Sequence, residues 1–124
     1  MPLALELIDQ AIKLCPEASL ASLYNNKAQI LRLQGDLNQS LHLLNQSISL
    51  ALSSSNNRVL RLSSAQRAWI YFRAGKMEEA FKDFEVAAKL GCGESRRMAV
   101  RCNPYAAMCN QFMQEILGST FYSK

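Results

Sequence analysis

The chain has 124 residues, enough for one small domain. Hydrophobic residues make up 49% of it, which supports a packed core and argues against disorder. Five glycines and three prolines are too few for a turn-rich β architecture, and a net charge of +4 admits an acidic partner without requiring one.

Taken in chain order, the elements are all helical. Leu5, Ile8 and Ile12, with Leu7, Ala11 and Leu14, give helical spacing over Pro2 to Leu14, and Pro16 stops that helix. A second helix is predicted over Leu20 to Gln34, closed by Gly35. A third covers Leu37 to Leu52, with Leu37, Leu41, Leu44 and Ile48 on one stripe. The polar stretch SSSNN then breaks the pattern, and its last residues suit a helix N-cap. Further helices are predicted over Val59 to Ala74, Met77 to Leu90 and Glu94 to Arg101, the first two closed by Gly75 and Gly91. Asn103-Pro104 opens a last helix with Tyr105, Met108, Cys109, Phe112, Ile116 and Leu117 on its apolar side. No strand pattern is present.

Glu6 and Asp9 interrupt the N-terminal apolar segment, so no signal peptide is expected there, and no apolar run approaches the about 18 residues of a membrane span. Cys15, Cys92, Cys102 and Cys109 contain no CxxC pair, and His42 stands far in sequence from three of them. No zinc site or cofactor is therefore expected. Reduced thiols and a cytoplasmic location are.

Two helix pairs read alike. YNNKAQILRLQGDLNQSLHLLNQSISL and SAQRAWIYFRAGKMEEAFKDFEVAAKL each end a first helix at glycine and start the next at once. Ala28 and Ala68 take the same place before the glycine. Ser40 and Ser47 in one pair stand where Ala80 and Ala87 stand in the other, and bulky Leu44 matches Phe84. Small side chains let paired helices cross closely, and large ones fill the space beside them. This phrase resembles the tetratricopeptide repeat, a helix-turn-helix of about 34 residues. Gly35 and Gly75 are 40 apart, so SSSNN is read as an insertion.

The expected fold is an all-α solenoid of about two and a half repeats. Residues 2–16 form the second helix of an incomplete repeat, 20–52 a repeat, 53–58 a polar insertion, 59–91 a repeat and 94–124 capping helices. With YNNKAQ, RLQGD, AAKLG and above all NPYAAMCNQFM, the chain resembles the tetratricopeptide repeat protein 36 family over most of its length. That resemblance implies a non-enzymatic adaptor, co-chaperone-like, with Hsp70-type chaperones as expected partners and a looser link to tyrosine catabolism and cilia.

In such solenoids the first helix of each repeat lines a groove. The register implies Ser22, Asn25, Asn26, Gln29 and Arg32 there, then Leu62, Ala65, Gln66, Trp69 and Arg73. Amides and guanidiniums on one face can hold a peptide backbone or a carboxylate. Trp69 is expected as an apolar anchor, the alternative being burial under the first or last helix. Asn25 and Asn26 either touch a ligand or hydrogen-bond between repeats. Some chaperone-binding relatives clamp two carboxylates with Lys, Asn and Arg side chains. Asn26 alone matches that set, and Leu62 and Gln66 stand where two cations should. Arg61 and Arg67 are neighbours, but one residue turns a helical side chain by about 100°. A two-carboxylate clamp is therefore expected to be broken. The first helix of the first repeat is not read in this chain, so Leu5, Ile8 and Ile12 are expected as a bare apolar strip, the chain either self-associating through it or folding its N-terminal helix differently.

One His, scattered carboxylates and no Gly-rich loop give no catalytic constellation. Asp83 and Glu85 are read as surface partners of Lys82 and Lys89. Arg58, Arg61, Arg73, Arg96, Arg97 and Arg101, with Trp69 and Tyr71 for stacking, are the residues of an alternative nucleic-acid-binding module. The modest net charge and the core-facing register of Tyr71 argue against that. A further alternative is a fragment without binding competence.

Overall fold

The computed structural model describes residues 2–14, 19–103, 108, 111–113 and 115–116. Up to Asn103 the described residues form the helices α1 (Pro2–Leu14), α2 (Leu20–Leu33), α3 (Leu37–Ser53), α4 (Asn57–Arg73), α5 (Met77–Lys89) and α6 (Gly93–Cys102). Among the described residues there is no strand. The stop expected at Pro16 lies outside the described residues, as do Cys15, Tyr105, Cys109 and Leu117.

Four consecutive connections share one geometry. Each helix ends on a residue with positive φ, and the next residue's amide reaches back over the last turn. Asp36 N donates to Leu31 O, Asn56 N to Ala51 O, Lys76 N to Tyr71 O and Cys92 N to Ala87 O, at 2.9–3.0 Å. Gly35, Gly75 and Gly91 take the left-handed place at φ 92°, 80° and 106°, and Ser55 takes it at φ 55°. This is the closing motif in which glycine normally escapes a Cβ clash. The residue after it then starts the next helix. Asp36 Oδ1 accepts from Gln39 N and Asn56 Oδ1 from Val59 N, both at 3.2 Å, while Lys76 offers no side-chain cap.

The wide spacing of Gly35 and Gly75 is absorbed by helix, not by loop. Helices α3 and α4 have 17 residues each, against 14 in α2 and 13 in α5. Ser53 ends α3, Asn57 and Arg58 open α4, and only Ser54 to Asn56 lie between. At this helix end the hydroxyls of Ser53 and Ser54 both donate to Leu50 O.

Small residues sit at the helix crossings. Ala28, Ser40, Ala68, Ala80 and Ala87 are fully buried, and Leu44 and Phe84 fill the space beside them. One cluster joins Ala28, Leu31, Leu43 and Leu44 to Ile70 of α4, with Leu5 of α1 packed on it. A second joins Ala68, Ala80 and Phe84 to Met98 and Cys102 of α6, with Trp69 and Tyr71 against it. Each helix pair thus completes its core with residues of the next, as a stacked array requires. Burial raises the pKa of the Cys102 thiol, an apolar neighbour in that packing.

A polar contact repeats as well. Lys27 and Arg67 each precede a buried alanine by one residue, and each reaches the preceding outer helix. Lys27 Nζ meets Asp9 Oδ1 of α1 at 2.7 Å, and Arg67 Nη1 donates to Asn45 Oδ1 of α3 at 2.8 Å. The described residues of the last segment differ from expectation. Met108, Phe112 and Ile116 are helical but exposed.

Candidate peptide-binding face

Helices α2 and α4 lie side by side and are joined by a buried polar seam. Ser47 Oγ of α3 donates to Ala21 O at 2.7 Å, and its oxygen lies 2.8 Å from Ser63 Oγ of α4. Ser63 Oγ donates to Asn25 Oδ1 at 2.9 Å, and Gln66 Nε2 donates to the same oxygen at 2.8 Å. Gln66 Oε1 in turn accepts from Arg32 Nε at 3.4 Å. Such groups are costly to bury alone and hold a fixed register when paired. Among the described residues no buried side-chain polar atom lacks a partner.

The seam separates the expected groove residues into two sets. Asn25 is 5% exposed and bonded between the repeats, whereas Asn26, one residue on, is exposed. Gln29 is exposed beside it, Ser22 is half-buried, and Gln66 is half-buried and committed to Asn25 and Arg32. On α4, Leu62 and Arg73 are exposed and Ala65 and Trp69 half-buried. The Trp69 ring packs edge-on against Phe72 and Phe84, with centroids at 5.7 and 5.5 Å. It is therefore braced by its own and the following helix rather than covered by the first. Three of the expected residues come together: Arg32, Trp69 and Arg73 line one hollow of about 250 Å³ with Leu33, Leu37 and Ile70. Leu37 lies on the apolar stripe of α3 and Ile70 belongs to the first core cluster, and neither placement gives a sign of this second role.

Two expectations about charge and apolar exposure are corrected. Asp83 is not a surface partner of Lys82 or Lys89. It is 6% exposed and paired at both oxygens with Arg67, Nε to Oδ2 at 2.6 Å and Nη2 to Oδ1 at 2.7 Å. Those hydrogen bonds hold the Arg67 guanidinium above its ordinary pKa against the opposing effect of burial, and Tyr71 lies beneath it. Glu85 does pair with Lys89, at 3.0 Å. On α1, Leu5, Ile8 and Ile12 are half-buried, and the exposed leucines are Leu3, Leu7 and Leu14. The face turned to α2 is thus the one expected to be bare.

A larger hollow of about 420 Å³ lies between α2 and α3, lined by Leu20, Tyr24, His42, Asn45, Gln46 and Ser49, none of them an expected groove residue. No group of His, Cys, Asp and Glu among the described residues has a metal-binding arrangement. No helix among them is long and apolar enough to cross a membrane.

Comparison with known proteins gives the same repeat. A family model for the tetratricopeptide repeat matches residues 19–90. Tetratricopeptide repeat protein 36 of Bos taurus is 44% identical over 115 residues, covering 93% of this chain and 59% of its own length. The Homo sapiens protein of that name is likewise 44% identical with the same coverage, and that of Danio rerio is 41% identical over 117 residues, 94% of this chain and 60% of its own. The chain thus spans about three-fifths of the length of the curated relatives it matches. No solved structure matches it. On the repeat match, which spans more than half of its residues, and on these relatives, the chain belongs to the tetratricopeptide repeat family.

Proposed function

We propose that the chain is a non-enzymatic cytoplasmic adaptor that holds a segment of a partner protein along α2 and α4. The observation that carries this reading is the hollow between Arg32, Trp69 and Arg73, with the exposed amides of Asn26 and Gln29 earlier on α2. It offers apolar surface, two guanidiniums and amide donors on adjoining helices, a mixture suited to an extended or helical peptide. Its resemblance to tetratricopeptide repeat protein 36 adds a co-chaperone-like role with an Hsp70-type partner. Such a partner would not be held by a two-carboxylate clamp. Leu62 and Gln66 occupy the places of the needed cations, and the Gln66 amide is engaged with Asn25 and Arg32. One exposed Asn cannot replace several charge-assisted bonds.

Titration against an Hsp70-type chaperone, with and without its acidic C-terminal tail, tests this reading. Binding that survives removal of the tail supports an adaptor with an unclamped face. Binding that depends wholly on the tail overturns the broken-clamp argument, and no binding to either form removes the chaperone as partner. The rival reading as a nucleic-acid module is served less well. Tyr71 packs into the α4–α5 core between Arg67 and Lys76, and Trp69 is pinned by two phenylalanines. A steep fall of RNA binding with salt would restore it.

A further inference from the structure

The hollow beside Trp69 has a twin. A second recess of about 240 Å³ is lined by Leu37, Leu41, Tyr71, Arg73 and Lys76, together with Ile70. Leu37, Ile70 and Arg73 line both recesses. Arg73 therefore stands between two recesses where the end of α4 meets the start of α3, the first lined by polar and apolar surface about equally and the second mostly apolar. Each is smaller than the about 300–1,000 Å³ of small-molecule pockets, a size that suits one side chain rather than a whole ligand. Leu33 and Leu37 remain 65% and 41% exposed at this edge.

Charge decides what fits. No Asp or Glu lines either recess, and Arg32, Arg73 and Lys76 do. Helices α2 and α4 contain no acidic residue at all, whereas α5 carries Glu78, Glu79, Asp83 and Glu85. The nearby Asp36 carboxylate already caps α3 through Gln39 N. A basic segment would meet like charge here. A purely apolar one would cover guanidiniums without compensating them.

We propose that this paired recess docks a short acidic segment of a partner protein that carries two apolar side chains, one for each recess, with a carboxylate on Arg73 between them. This rests on the adaptor reading and narrows it to one edge of the face and one partner chemistry. It requires no ligand contact from Asn26 or Gln29.

Trp69 is the chain's only tryptophan, so its emission reports the first recess directly. The probe is a pool of short synthetic peptides of Glu, Asp, Leu and Phe, set against a matching pool with Lys in place of the acids. The acidic pool should shift Trp69 emission saturably, and the Lys pool should not. Arg73→Ala, at an exposed position, should weaken binding about tenfold, and Leu37→Lys should weaken it comparably. Circular dichroism of both variants confirms that the helices persist. Equal binding of the two pools, or no saturable shift with either, overturns the proposal. Acidic-pool binding that ignores Arg73→Ala but is lost in an Asn26→Ala, Gln29→Ala double variant also overturns it, while leaving the adaptor reading intact. A shift that tracks chain concentration without peptide would identify a second copy as the occupant and overturn it too.

Discussion

The α2–α3 and α4–α5 pairs share one backbone plan and differ in what fills it. In the first pair Ser40 and Ser47 occupy the close crossings, with Leu44 beside them. In the second, Ala80, Ala87 and Phe84 stand in those places. The serines need partners, so the first pair carries hydrogen bonds to Ala28 O and Ala21 O, with the Ser47 oxygen 2.8 Å from Ser63 Oγ. The alanines need none, and there the polar work falls to the Arg67–Asp83 pair and the apolar work to Trp69 and Phe84. What the repeat demands is small against large at fixed intervals and a left-handed residue at the turn. Polar chemistry is free to vary wherever every buried group finds a partner.

Substitutions sharpen that contrast. Asp83→Ala should have the largest effect, since it leaves the Arg67 guanidinium part-buried without its carboxylate. A loss of about 3 kcal/mol in urea unfolding is expected. Asn25→Ala should cost about 2 kcal/mol, because Ser63 and Gln66 both lose the Asn25 Oδ1 acceptor. Combined with Ser63→Ala it should cost clearly less than the sum, which would place both side chains in one network. An additive result would break the seam into independent contacts. Ser55→Gly should raise stability by about 1 kcal/mol, because the serine holds the left-handed place that glycine fills in the other turns. The smallest effect is expected at Lys76→Ser, a gain of about 0.5 kcal/mol from supplying the cap that α5 lacks. Thermal midpoints of the two variants measure both gains.

These residues also show which features could be read before the structure. Ala28, Ala68, Gly35 and Gly75 are visible because crossings and turns restrict residue type locally. Ser55 is not visible as a turn residue, since nothing in a run of serines marks the one with positive φ. Asn25 and Asn26 are equivalent as letters. Only Ser63 and Gln66, brought alongside from α4, decide which of the two turns inward. Asp83 has lysines near it in sequence, yet its partner Arg67 is 16 residues away on the other helix of the pair. The leucines around the recesses read as core because exposure at an edge leaves no trace in spacing. Leu5, Ile8 and Ile12 are expected to be bare on the assumption that nothing but a preceding helix could cover them, and α2 covers part of that face instead.

Binding along α2 and α4 requires those helices to behave as one rigid face. Hydrogen exchange of their amides, followed as a function of urea, tests this most directly. The polar seam predicts that α2 and α4 open together, with the same free energy and the same urea dependence, and that Asn25→Ala separates them. An α2 that opens well before α4 in the unaltered chain would contradict it, and the two repeats would then be neighbours without a shared face.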